Sequence, residues 1–215
     1  MTSSRPSKES RPAPRLYLVT PAAADAAQLR LELLGALDSA DIAAVLMRLP
    51  DEDERALINR VKAIAPTVQK AEAALILDGH SRIVARSGAD GAHLTGLAAF
   101  QEAATALRPD RIAGIGGLET RHDAMIAAEN GADYVMFGDN TRPSLDALIE
   151  RVTWWADVFE VPCVAYATAL DEIAPLVDAG ADFVALGDAV FSDPRGVVAA
   201  VAEASARLSV RETAT

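Results

Sequence analysis

The chain is 215 residues long, enough for one large domain or two small ones, and 51% of it is hydrophobic. Its net charge of −11 argues against nucleic acid as a partner, because phosphates would be repelled. The single cysteine, Cys163, excludes an internal disulfide and a cysteine-rich metal centre.

Residues 1–14 are rich in Ser, Pro and Arg, show no apolar period and are expected to form a disordered tail. No apolar run is long enough to span a bilayer and no signal-peptide core is present, so no membrane partner is expected and the cytoplasm is the default location. Residues 15–20 read as the first strand, Pro21 breaks it, and 25–37 read as the first helix. Strand 42–47 ends at Arg48 and Pro50. Helix 51–68 follows, with acidic residues in its first turn, where the helix dipole favours them. Strand 73–77 ends at Asp78-Gly79-His80, and a short helix covers 81–87. Strand 91–94 leads to helix 96–107, and strand 111–115 leads through Gly116-Gly117 to helix 119–129. Strand 134–137 opens into the most polar loop of the chain, Gly138-Asp139-Asn140-Thr141-Arg142-Pro143. In helix 145–159, Trp155 shares an apolar face with Leu148 and Val152. Trp154 points off that face, a candidate contact for a homodimer. Strand 161–165 holds Cys163 as an inert core thiol. Helix 169–178, strand 183–186 and helix 194–208 complete the set, and 209–215 should fray.

One pattern organises this order. Gly131-Ala132-Asp133-Tyr134-Val135 returns as Gly180-Ala181-Asp182-Phe183-Val184 and, more briefly, as Gly88-Ala89-Asp90-Gly91-Ala92. Each copy follows an amphipathic segment, with Gly suited to a left-handed helix end, and leads into a short apolar run suited to a strand buried on both faces. Eight strand–helix pairs at a spacing of roughly 25 residues predict a single (β/α)8 barrel, a TIM barrel, over residues 15–208. A doubly wound open sheet is the alternative.

In a closed barrel the residues that follow the strands meet at one mouth: Thr20, Arg48, Asp78, His80, His93, Glu119, Asp139, Asn140, Arg142, Tyr166 and Asp188. Arg48, ending a buried strand, can grip a carboxylate or phosphate of a small-molecule ligand, or pair with a neighbouring acid. Asp78 with His80 can form a proton-transfer pair, or Asp78 can cap the helix at Ser81. His93 alternates within its strand and fits a satisfied core histidine or a site residue. Asp139, Asn140 and Arg142 offer both signs of charge in one loop, or simply turn chemistry. Asp78, Asp139 and Asp188 are weak candidates for a Mg²⁺ site, since none lies in a metal motif. Asp188 sits where barrels of this kind hold phosphate on backbone N–H groups, and a carboxylate there would repel one. No residue is assigned a catalytic role.

The strands and their loops together resemble the thiamine phosphate synthase family, including its thiazole tautomerase branch, over about residues 15–208. Leu16-Tyr17-Leu18-Val19-Thr20 resembles its opening strand, Arg48 the Arg of its Gln-x-Arg-Glu-Lys motif, and Asp90-Gly91-Ala92-His93-Leu94 its Asp-Gly-x-His-Leu strand. Gly131 to Val135 with Phe137-Gly138 resembles its sixth strand. The resemblance implies a transferase of thiamine biosynthesis. In that reaction an aminopyrimidine diphosphate loses pyrophosphate to Mg²⁺ and basic residues, and a thiazole phosphate captures the resulting cation. The departures fall in the loops. Leu46 and Pro50 replace the Gln and Lys that flank Arg48 in the family, and Gly79 and Ala98 replace metal-binding acids. Gly138-Asp139 replaces a Gly-Pro, and Ala165-Tyr166-Ala167-Thr168 replaces an Ile-Gly-Gly-Ile. Mg²⁺ is thus implied by the resemblance while its usual ligands are missing. The expectation is a synthase-like protein with weak or no synthase activity. The alternatives are a diverged barrel for a different small molecule and a non-catalytic interaction protein.

Overall fold

Eight apolar runs form strands because they carry aliphatic or aromatic residues on both faces and are bounded by Gly, Pro or Asp. They are β1 (Arg15–Val19), β2 (Ile42–Met47), β3 (Ala74–Asp78), β4 (Gly91–Thr95), β5 (Ile112–Gly116), β6 (Tyr134–Phe137), β7 (Cys163–Ala167) and β8 (Phe183–Leu186). The computed structural model describes residues 12–22, 25–139 and 144–209. Each strand pairs in parallel with the next, and β8 returns to β1 through Leu16 opposite Val184. The sheet closes into the expected (β/α)8 barrel, which excludes the open doubly wound sheet. Residues 1–11 and 210–215, where a disordered tail and fraying were expected, lie outside the described residues. Among the described residues, no helix is long and apolar enough to cross a membrane.

The helices around the sheet are α1 (Ala26–Ser39), α2 (Glu54–Lys70), α3 (Val84–Ser87), α4 (Leu97–Leu107), α5 (Arg121–Glu129), α6 (Leu145–Val158), α7 (Ile173–Asp178), α8 (Asp188–Phe191) and α9 (Val197–Ser209). Caps set several starts. Asp53 accepts the N–H groups of Arg55 and Ala56, so α2 begins later than its apolar period suggests. Thr120 and Asp123 form a capping box that starts α5 at Arg121. The expected helix over 169–178 divides into a 3-10 turn, Leu170–Glu172, and α7. The short α8 was not anticipated.

Strand residues alternate between two cores. Leu16 and Leu18 join the core between sheet and helices, whereas Tyr17 and Val19 join a separate cluster inside the barrel. Cys163 is buried in the outer core, as its strand position predicted. Trp155 is buried and donates its indole N–H to the carbonyl of Val161 at 2.7 Å. Trp154 is half covered within its own chain, with the Arg121 guanidinium 4.9 Å from its ring centre.

The Gly-Ala-Asp turns close one end of the barrel. Gly88, Gly131 and Gly180 hold φ of 80°, 76° and 98°, the left-handed conformation in which a Cβ is strained. The following Asp then grips the preceding strand twice. Asp90 donates its N–H to the Leu75 carbonyl at 2.8 Å, and its carboxylate accepts the Leu75 N–H at 2.7 Å. Asp133 makes the same pair with Ala113, at 3.0 and 2.7 Å, and Asp182 with Cys163, at 3.1 and 2.8 Å. The repeat seen in the sequence is therefore a recurring strand clamp beneath β4, β6 and β8.

Candidate functional site

At the opposite end, inward-facing residues of several strands surround a cavity of about 320 Å³. Arg48 and Asp78 pair on its wall, from just past the end of β2 and from the end of β3, with Nε and Oδ2 3.4 Å apart. The Arg48 backbone N–H donates to the hydroxyl of the fully buried Thr20 at 3.2 Å, which fixes where the side chain leaves the strand. Tyr166, on β7, lines the same cavity as Arg48. Burial raises the Tyr166 phenol above its ordinary pKa, with Arg48 pulling the other way and Asp188 adding to the rise.

Asp139 closes the other side. Its Oδ2 accepts the N–H of Gly117 at 3.0 Å. Gly117 turns with φ of 62°, and a Cβ there would stand 2.6 Å from Thr95 Cγ2, so the turn needs glycine twice over. Beyond Thr95, Met136 and Asp139 the cavity continues into a second hollow of about 520 Å³ that reaches Glu119 and Arg151. The Arg151 guanidinium is spent on two carbonyls, Leu118 at 2.8 Å and Glu119 at 3.1 Å.

His93 forms part of the cavity floor and is only 5% exposed. Its Nδ1 lies 3.0 Å from the Tyr134 hydroxyl, which lies 2.8 Å from the Tyr17 hydroxyl. Burial lowers the imidazole pKa to about 4, outweighing the opposite pull of Asp78 and Asp139, and Arg48 acts in the same direction as burial. The ring is neutral at physiological pH. Burial likewise raises the phenols of Tyr17 and Tyr134, which stay protonated.

The structure thus brings together Arg48, Asp78, His93, Asp139 and Tyr166 from among the candidates read in the sequence. His80 is exposed and lines a separate hollow with Glu52, Glu54 and Arg82, so it makes no pair with Asp78. Nor does Asp78 cap the turn at Ser81, which has no side-chain cap. Asp188 is exposed at the start of α8 and does not line the cavity. Asn140 and Arg142 lie outside the described residues. Tyr17 and Tyr134 were missed. The available signal was glycine on β5, since glycine inside a strand marks close approach of a neighbour. A Cβ at Gly114 would stand 2.0 Å from the Tyr134 ring, and one at Gly116 would stand 2.6 Å from His93 Nε2.

The described residues offer Mg²⁺ no cage of protein ligands of its own. Asp78 is engaged by Arg48, Asp139 by a backbone N–H, and Asp188 stands apart. Among the described residues, no three His, Cys, Asp or Glu side chains gather closely enough to hold a metal.

Comparison with known proteins agrees with the fold and the motifs. The family described as thiamine monophosphate synthase matches residues 16–190. A thiamine-phosphate synthase of Rhodospirillum centenum is 41% identical over 196 residues, 88% of this chain and 95% of that protein. One from Hyphomonas neptunium is 33% identical over 205 residues, 90% of this chain and 93% of that protein. Among solved structures, a thiamine phosphate pyrophosphorylase from Pyrococcus furiosus superposes with a TM-score of 0.73 at 20% identity, covering 90% of this chain and 95% of that one. A 3-hexulose-6-phosphate synthase from Salmonella typhimurium gives 0.71 at 15% identity over 90% of this chain and 98% of that one, a likeness of fold alone. With a closed barrel, the Asp90 to Leu94 strand and Arg48 at its mouth, and relatives matched along nearly their whole length, this chain belongs to the thiamine monophosphate synthase family.

Proposed function

We propose that this protein serves thiamine biosynthesis as a barrel that binds a neutral or cationic heterocycle of that pathway, with little thiamine phosphate synthase turnover. The family membership and the near full-length similarity to thiamine-phosphate synthases support the pathway. The observation that carries the finer reading is the charge of the mouth. Among the described residues lining the central cavity, Arg48 is the one cation, and it faces the carboxylates of Asp78 and Asp139. One positive and two negative groups leave a net charge of −1 around a neutral His93. A diphosphate entering that space meets repulsion of about 4 kcal/mol per close unit charge at an effective dielectric near 20.

The synthase reaction makes heavy electrostatic demands. Its leaving pyrophosphate needs neutralising donors, and losing one such contact typically costs a factor of about 10²–10³ in rate. Gly79, Ala98 and Pro50 stand where the family carries two metal-binding acids and a lysine, and no described cluster replaces them. In the chemistry that this chain's residues can do, Arg48 and Asp78 orient a polar edge of the ligand, Asp139 attracts positive charge, and Tyr166 with Met136 supplies a partly apolar wall.

Two measurements test this reading. A coupled assay with the aminopyrimidine diphosphate, the thiazole phosphate and Mg²⁺ should give turnover far below the ordinary enzyme range, which begins at about 1 s⁻¹. Calorimetry should show thiamine, a thiazolium cation, binding more tightly than thiamine monophosphate. Synthase turnover in the ordinary range, or a preference for the phosphorylated compound, would overturn the reading.

A further inference from the structure

The three hydroxyl and imidazole groups inside the barrel form one chain. Tyr17 on β1, Tyr134 on β6 and His93 on β4 are separate in sequence, yet their polar atoms lie in series at 2.8 and 3.0 Å. The Tyr134 ring lies nearly parallel to His93, 14° between planes, and edge-on to Tyr17. Tyr17 and Tyr134 also line a hollow at the clamp end of the barrel, while His93 lines the mouth. The chain therefore runs along the barrel axis from one end to the other.

Space for it has been cleared. The inward positions of β5 are Ile112, Gly114 and Gly116, and a single added Cβ at either glycine would overlap Tyr134 or His93. Glycine in a strand interior sacrifices side-chain packing and backbone order, so two in a row on one face need a reason. Accommodating these two rings supplies it.

Each hydroxyl has one proton, so the chain can point in only two directions. In one, Tyr17 donates to Tyr134, Tyr134 donates to His93 Nδ1, and the imidazole proton sits on Nε2. The donor left over is the imidazole Nε2–H, on the ring that lines the mouth with Asp78 and Asp139. In the other, Nδ1–H donates to Tyr134, Tyr134 donates to Tyr17, and the Tyr17 proton needs a further acceptor. Among the described residues, the Tyr17 hydroxyl bonds Tyr134 and no other group. The hollow beside Tyr17 is lined mainly by apolar side chains, with Asp133 already engaged by Ala113, whereas the mouth beside His93 offers acceptors, so satisfying the left-over donor selects the first direction.

We infer that Tyr17 and Tyr134 are positioning residues that hold His93 as its Nε2–H tautomer, so that His93 offers the ligand a hydrogen-bond donor rather than a base. The inference builds on the proposed binding of a heterocycle at the mouth and adds a specificity rule to it. The ligand must place an acceptor, a ring nitrogen or hydroxyl oxygen, over the His93 and Gly116 corner, between the carboxylates of Asp78 and Asp139. The low basicity of the buried imidazole agrees with this role, because a ring that stays neutral near pH 7 has one bare nitrogen, which the Tyr134 hydroxyl can claim at Nδ1. The charged groups facing it are Asp78, Asp139 and Arg48, and they surround the ring from β3, from the loop after β6 and from the end of β2.

The test begins with the tautomer itself. The protein has three histidines, and replacing His80 and His122 with Asn leaves the His93 signals alone in a ¹⁵N-histidine-labelled sample. Long-range ¹H–¹⁵N correlation near pH 7 should show Nδ1 unprotonated and Nε2 protonated. Tyr134→Phe should convert that pattern to a tautomer mixture. Tyr17→Phe, the milder change, should shift it in the same sense. Nδ1 protonated in the wild type, or a pattern unmoved by both variants, overturns the inference. Binding of thiamine supplies the second arm. His93→Gln, which keeps an N–H at the same reach, should hold affinity within about threefold, while His93→Met should lose about tenfold, the worth of one hydrogen bond. Equal losses in the two variants would remove His93 as a donor. If the wild type fails to bind thiamine at all, the functional reading falls, and the tautomer measurement decides this inference by itself.

Discussion

The two ends of the barrel are built on opposite plans. At the clamp end one device repeats. Asp90, Asp133 and Asp182 each follow a left-handed Gly by two positions and each hold a neighbouring strand by an N–H and a carboxylate. At the mouth no two of the lining side chains just described do the same job: Arg48 pairs, Asp78 answers it, His93 ends a buried relay, and Asp139 caps a glycine turn. Repetition serves closure, because each strand pair faces the same problem of orphan backbone groups. Binding needs different groups meeting at one point, so the mouth cannot repeat.

The largest expected effect breaks the repeated end. Each clamp is a charge-assisted bond to a backbone N–H, worth about 2 kcal/mol. Sites this far apart add. Asp133→Ala or Asp182→Ala should each lower Tm by roughly 4–8 °C, and the triple variant, losing about 6 kcal/mol, should sit near the limit of folding. Thermal melts of the single and triple variants check this. Single variants with unchanged melting would show that the carboxylates are decoration on a sheet closed by its strands alone.

A smaller effect belongs to the mouth. The His93 imidazole sits near pKa 4 against an ordinary value of 6.5, so the folded state binds fewer protons than the unfolded state between those values. Stability from this group is therefore complete above about pH 6.5 and is lost as pH falls toward 4, by roughly 3 kcal/mol in all. Chemical denaturation between pH 4 and 7 should show that slope in the wild type and a flatter one in His93→Gln. Parallel slopes would mean that His93 is hydrated in the folded protein.

Next comes the sign of the mouth charge. Asp139→Asn keeps the acceptor for the Gly117 N–H and removes one negative charge. Affinity for thiamine should fall by about tenfold, about 1.4 kcal/mol, and affinity for thiamine monophosphate should rise. Both ligands moving in the same direction would show that the substitution acts through shape instead of charge.

The clamp end was legible in the sequence as a repeat, and with it the barrel, because Gly-Ala-Asp before an apolar run recurs at the period of one strand–helix pair or a multiple of it. What the Asp does was not legible, since its partner lies a whole helix and strand earlier. The mouth was half legible. Arg48, Asp78, His93 and Asp139 could be gathered because residues at strand ends must converge in a closed barrel. His80 could not be separated from them, because the turn at Gly79, with φ of 77°, carries the chain outward to the surface in one step. Asp188 heads a short helix past the rim, after Gly187 with φ of −112° and ψ of −106°. Tyr17 and Tyr134 read as ordinary strand formers. Only the register that sets Tyr134 beside Gly114, with its hydroxyl in reach of Tyr17, makes them members of a network.

The fourth position of the repeat sharpens the comparison. Ser39-Ala40-Asp41 precedes β2 as Gly-Ala-Asp precedes β4, β6 and β8. Asp41 does not make the clamp. Its carboxylate takes the Arg15 side chain instead, at 2.9 Å from Nε and 2.6 Å from Nη2, and the two side chains are 73% and 38% exposed. The chain at Ala40 is extended, with φ of −157°, and no left-handed glycine turns the Asp beneath the strand. An exposed pair of this kind contributes about 0.5 kcal/mol, because water screens it and two long side chains must be held still. Asp41→Ala should therefore shift Tm by about 1–2 °C, against the several degrees expected for Asp133→Ala, and the shift should vanish in high salt. The same melts decide whether the glycine is the cause. A cost for Asp41→Ala equal to that for Asp133→Ala would show that any Asp before a strand of this barrel stabilises it equally, and that the left-handed turn adds nothing to the clamp.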